Sequence, residues 1–124
     1  MKVVVSLTSG VPLYAQIVDQ IRQQIVSGAL AAGEPLPSLR ALASDLRVSL
    51  ITTTRAYNEL AAKGLTVNVP GKGSFVAQID PAAARHDSLE RVGEDLARIV
   101  ASVKPSGLVS LEDLIDILTK EWNR

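Results

Sequence analysis

The stretch from Ser38 to Val76 limits what this chain can fold into more than any other part of it. Ser38 precedes Leu39, Leu42, Ala43 and Leu46, an i, i+3, i+4, i+7 stripe that marks one apolar helix face. Ser49 precedes a second run in which Ala56, Tyr57 and Leu60 fall inward, and Gly64 ends it. The first N–H groups of a helix have no intrahelical partner, and a serine oxygen in front of them accepts one, so both serines read as N-caps. The pattern predicts helices over about 39–46 and 50–63, joined only by Arg47-Val48. That is a helix-turn-helix arrangement, with the first turn of its second helix free to be presented. Leu65, Val67 and Val69 then alternate, predicting a strand with those three inward. Pro70-Gly71-Lys72-Gly73 reads as a turn and Ser74-Phe75-Val76 as the returning strand. A hairpin directly after the second helix makes the motif winged, with Lys72 between two glycines at the tip.

The flanks read as simply. Residues 1–11 look extended. From Pro12 on, Leu13, Ile17, Ile21 and Ile25 recur every fourth residue beside Tyr14 and Val18, predicting a helix over about 12–27 that stops at Gly28. Gly33-Glu34-Pro35-Leu36-Pro37 reads as a stiff turn. Ile79-Asp80-Pro81 marks a boundary. Beyond it Leu89, Val92, Leu96, Ile99 and Val103 form a heptad-like seam, with Val100 next to it and Arg91/Asp95 and Glu94/Arg98 as flanking pairs. Pro105-Ser106-Gly107 breaks that helix, and Ser110-Leu111-Glu112-Asp113 is a capping box opening a last one. The expected fold is mostly α with a small β-hairpin: a winged helix-turn-helix domain over 1–77 and a short two-helix dimerisation tail over 78–124.

Composition removes most other functions. In 124 residues, 47% are apolar and 21% charged, the profile of a folded chain. There is no cysteine and the only histidine is His86, so Cys-based zinc sites and sites that need two or three imidazoles are excluded, and no metal or cofactor is expected. His86 reads as a solvated side chain. No nucleophile–base pair can be assembled, and Gly71-Lys72-Gly73 lacks the glycine spacing of a phosphate-binding loop, so catalysis is not expected. No apolar run approaches the roughly 18 residues of a membrane span, and Ser6, Thr8, Ser9, Gly10 and Pro12 interrupt the opening valines too early for a signal peptide. A cytoplasmic location is the expectation. The net charge is zero, yet residues 1–77 hold seven basic and four acidic side chains (7 − 4 = +3), and residues 78–124 six and nine (6 − 9 = −3). A polyanion would meet the front segment.

Several ordered stretches resemble a GntR-type DNA-binding domain. They are Pro12-Leu13-Tyr14-Ala15-Gln16-Ile17, Ile25-Val26-Ser27-Gly28 and Gly33-Glu34-Pro35-Leu36-Pro37-Ser38-Leu39-Arg40-Ala41-Leu42-Ala43. Val48-Ser49, Thr52 and Arg55-Ala56-Tyr57-Asn58-Glu59-Leu60 resemble its recognition helix, and Gly71-Lys72-Gly73-Ser74-Phe75-Val76 its wing. The short tail, with Leu108-Val109-Ser110-Leu111-Glu112-Asp113-Leu114-Ile115, is similar to the YtrA-like subgroup. The resemblance implies a bacterial transcriptional regulator, usually a repressor. Such a protein binds a palindromic double-stranded DNA operator as a homodimer, with half-sites roughly 34 Å apart, and changes affinity when a small-molecule effector binds.

Carried over by position, the resemblance implies that Ser38, Arg40, the start of the recognition helix and the wing glycines Gly71 and Gly73 contact DNA. Ser38 and nearby N–H groups would hold a phosphate. Arg40 is the candidate for guanine, whose O6 and N7 its fork spans. Ser49 and Thr52 would touch phosphate or base edges, Thr53 or Thr54 would offer a methyl to thymine, and Arg55 and Lys72 would add charge. Many family members carry a polar or basic residue where this chain has Leu50 and Ile51. Aliphatic groups donate no hydrogen bond but pack on thymine methyls, so thymine is expected there.

Two matters stay open at this level. The seam of Leu89, Val92, Leu96, Ile99, Val100 and Val103 either packs within its own chain or pairs with its copy. A two-helix tail has little surface to cover both apolar faces, which favours the dimer. An effector would then sit at that interface or near residues 78–88. A winged-helix interaction module that no longer binds DNA is the alternative function.

Overall fold

A computed structural model describes all residues from Met1 to Arg124. Its internal contacts divide it into two units, Met1–Pro81 and Ala82–Arg124.

The first unit holds three helices, α1 (Leu13–Val26), α2 (Leu39–Leu46) and α3 (Leu50–Ala62), followed by strands β1 (Thr66–Val69) and β2 (Gly73–Val76). Ile17, Val18, Ile21 and Ile25 of α1 bury against Leu42 of α2 and Ala56, Tyr57 and Leu60 of α3. Each Ile, Val or Leu among them contributes about 1.5–3 kcal/mol when fully buried, so this cluster is what holds three short helices together.

Helix ends decide the connections. The Ser38 and Ser49 hydroxyls accept the Ala41 and Thr52 N–H groups, each at 3.1 Å. At the other end, Arg47 takes a left-handed conformation (φ 56°), its N–H donating to Ser44 O while the Val48 N–H donates to Ala43 O. The end of α3 repeats this: Gly64 is left-handed (φ 74°), its N–H donates to Ala61 O, and the Leu65 N–H donates to Leu60 O. In both, the residue after the left-handed one is apolar and returns to the core. The turn of the helix-turn-helix is therefore a helix cap.

That cap corrects the expected strand. Leu65 is buried, its N–H closing α3 while its O accepts the Ala77 N–H at 2.9 Å, so β1 starts one residue later. Thr66 is inward at 4% exposure and Val67 outward at 52%. Thr66 pairs with Val76 and Val69 with Gly73. The hairpin closes through Pro70 and Gly71 (φ 76°), with the Lys72 N–H on Val69 O at 3.0 Å, the proline-then-glycine arrangement a type II turn requires. The segment expected as a turn before α2 also runs along the wing. The Leu36 N–H donates to Ser74 O and the Val76 N–H to Glu34 O, both at 2.9 Å.

Residues 2–6 lie along α1 in a clasp of glutamines. Gln24, Gln20 and Gln16 each accept an N–H and return an amide hydrogen to the carbonyl of the same residue, Lys2, Val4 and Ser6 respectively. Four residues of helix rise about 6 Å and two of strand about 6.6 Å, so a four-residue spacing matches every second strand residue. Val3 and Val5, between them, pack against the core.

The second unit contains most of α4 (Pro81–Val103), a 3-10 turn at Lys104–Ser106 and α5 (Leu111–Trp122). The capping box forms as expected: Ser110 Oγ accepts the Asp113 N–H at 3.1 Å and Asp113 accepts the Ser110 N–H at 2.9 Å. Neither helix contains a buried residue. Arg98 pairs with Asp95, one residue closer than the expected Glu94. His86 Nε2 lies 3.2 Å from Glu90 on the exposed face of α4.

Candidate nucleic-acid interface

The start of α2 and the tip of the wing face each other across an open cleft of about 630 Å³. Ser38 and Arg40 line one side of it and Gly71, Lys72 and Gly73 the other. Because Ser38 takes the Ala41 N–H, the Leu39 and Arg40 N–H groups at the positive end of α2 remain without a partner in the chain. Ser38, Arg40 and Lys72 are all exposed. Donors and cations thus converge on one opening, which is the chemistry an anion needs.

Tyr57 holds that arrangement from below. Its hydroxyl donates to Pro37 O at 2.7 Å, tying α3 to the residue before the α2 cap. Burial disfavours the phenolate, and the Tyr57 pKa is pushed up to about 12.

The first turns of α3 form a second surface. Ile51 is 80% exposed and Leu50 38%, and with Thr54, Arg55 and Asn58 they line a shallow hollow. Ser49 and Thr52 share a hydroxyl–hydroxyl bond of 2.8 Å at the cap, beside the unpartnered Leu50 and Ile51 N–H groups. Thr54 Oγ1 donates to Leu50 O at 2.7 Å.

Thr53 is a correction. Expected as a thymine contact, it is fully buried, and its hydroxyl donates to Leu39 O and Leu50 O, each at 3.1 Å. It locks α3 onto α2 and offers nothing to DNA. The sequence carried the signal, since Thr53 precedes the inward residues Ala56, Tyr57 and Leu60 by three, four and seven positions. Two participants were also passed over. Asn58 lines the α3 hollow, one turn beyond Thr54. Tyr14, half-buried and packed against the core, carries the Arg55 guanidinium 3.7 Å from its ring centroid.

Residues 13–76 match the family described as "Bacterial regulatory proteins, gntR family". The chain belongs to the GntR family. It is 27% identical to the transcriptional repressor YtrA of Bacillus subtilis over 106 residues, covering 86% of this chain and 81% of that protein. Among solved structures it is similar to a transcriptional antiterminator from Listeria monocytogenes, with a TM-score of 0.79 and 30% identity, covering all of this chain and 91% of the other. It is similar also to the AraR DNA-binding domain in complex with operator ORX1, with a TM-score of 0.55 and 29% identity, over 62% of this chain and all of that one. The GntR head is therefore a winged-helix DNA-binding fold, the likeness to YtrA extends into the tail, and the family consists of transcription regulators rather than enzymes. No helix is long and apolar enough to cross a membrane.

Proposed function

We propose that this GntR-family chain is a cytoplasmic repressor that binds a palindromic operator as a homodimer. The observation that supports this best is the pair of surfaces on one winged helix: the capped, cationic cleft of Ser38, Arg40 and Lys72, and the exposed first turn of α3. In this reading α3 enters the major groove, Arg40 reads a guanine, and Lys72 at the wing tip meets the backbone or minor groove. Leu50 and Ile51 pack on thymine methyls. Ser49, Thr52 and Thr54 serve the phosphate or the base edges beside them. The wing glycines Gly71 and Gly73 let the hairpin approach closely.

Residues 1–77 bind DNA and residues 78–124 dimerise. Leu89, Val92, Leu96, Ile99 and Val100 are each between 41% and 52% exposed along α4, an apolar seam that nothing in the chain buries, and Val103 continues it. A second copy of the same seam is its natural cover. A small effector would act at that interface or near residues 78–88.

Selection of random duplexes on the purified protein tests the proposal. The expected result is an enriched palindrome whose half-site centres lie about one helical turn apart. A folded dimer that enriches no motif at low salt would overturn it in favour of an interaction module.

A further inference from the structure

We infer that Arg55 anchors a DNA phosphate and that Tyr14 is the residue that positions it. This rests on the DNA-binding reading above and adds to it a division of labour along α3. The Arg55 guanidinium lies over the Tyr14 ring of α1, 3.7 Å from its centroid. No carboxylate is in ion-pair contact with it. Attraction to the negative face of a ring uses none of the five N–H donors of an arginine. The donors stay available, and the cation is held in place without being neutralised.

Its direction decides what it meets. Thr53, Ala56, Tyr57 and Leu60 form the buried stripe of α3. Ile51, Thr54, Arg55 and Asn58 populate the other side. Of these, Arg55 reaches across to α1 for its contact, so it leaves the helix sideways. A helix with its side chains is about 10–12 Å across and the major groove about 12 Å wide. Only side chains on the leading face then reach base edges. A lateral one meets the phosphate wall, where a guanidinium forms paired, charge-assisted hydrogen bonds. Leu50, Ile51, Thr54 and Asn58 are left to read bases, and Arg55 sets how deep and at what angle the helix sits.

The test is affinity for a mixed-sequence duplex across a salt series, with the full chain and the variants Arg55→Ala, Tyr14→Leu, Tyr14→Phe and the double Tyr14→Leu/Arg55→Ala. Loss of one phosphate contact in each protomer should lower the slope of log affinity against log salt by about 2 for the Arg55→Ala dimer and weaken all sequences alike. Tyr14→Leu should weaken binding by the dimer about fivefold to thirtyfold, the worth of two exposed cation–ring contacts, and Tyr14→Phe, which keeps the ring, should bind as the parent does. In the Arg55→Ala background Tyr14→Leu should cost nothing more. The same loss in both backgrounds would overturn the inference, since Tyr14 would then act only through the fold. An unchanged slope with relaxed choice at one base pair would overturn it too, by making Arg55 a base reader. A parent protein that binds no duplex at any salt would remove the DNA-binding reading itself, and this inference with it.

Discussion

Thr52, Thr53 and Thr54 stand in successive positions of α3 and do three different things. Thr52 shares its hydroxyl with the Ser49 cap, Thr53 is sealed between α2 and α3, and Thr54 returns its hydroxyl to Leu50 O at the edge of the exposed hollow. At 100° per residue three neighbours must point three ways, so identity of side chain says nothing about identity of role. Thr53→Val removes the hydroxyl while keeping the shape. It should lower stability by about 1 kcal/mol, read by urea unfolding at fixed protein concentration, and leave base preference untouched. Leu50→Ala is the opposite case. It should leave stability within roughly 0.5 kcal/mol and relax the choice of thymine in duplex selection. Tyr57 adds a pH dependence. Its folded pKa of about 12 lies above the ordinary 10, so the folded state holds the proton longer. Stability from this group is fully present below pH 10 and drains away as the pH rises toward 12. Between pH 9.5 and 11 the parent should lose about 1 kcal/mol more than Tyr57→Phe, as measured by urea unfolding at each pH.

At the scale of elements, what was legible in the sequence was what is local. Ser38 and Ser49 cap because a cap needs only the next three residues, and the Ser110–Asp113 box closes for the same reason. The hairpin tip follows from Pro70-Gly71. An apolar Leu65 after Gly64 fits both a strand alternation and a helix cap, and it serves both, its N–H on Leu60 O and its O accepting the N–H of Ala77, a partner that is not local. The glutamine clasp was invisible for a related reason. Gln16, Gln20 and Gln24 read as the polar face of an amphipathic helix, and nothing local says that an extended segment will lie against them. Gln20→Ala should release the middle of that clasp. The Val4 amide, held at 2.9 Å by the Gln20 side chain, should lose its protection from hydrogen exchange, while overall stability falls by at most about 1 kcal/mol because these bonds face solvent.

For the whole molecule, the unburied seam of α4 is the feature with the largest consequence. Leu96 lies near its middle at 42% exposure. A glutamate there would bring two like charges together in a paired seam. Leu96→Glu should give monomers by sedimentation and weaken operator binding sharply, because a half-site alone forfeits the joint hold of two recognition helices. A tight-binding dimer would contradict the proposed assembly. The sequence by itself determined the helices, their caps, the hairpin and the amphipathic seam, because spacing and capping act over a few residues. Only tertiary structure decided that Thr53 bonds to Leu39 O, that Leu65 O meets the Ala77 N–H, that residues 34–36 run beside the wing, and that Arg55 rests on Tyr14. Each of these joins residues far apart in the chain, and which one meets which is settled when the aliphatic core of α1, α2 and α3 closes.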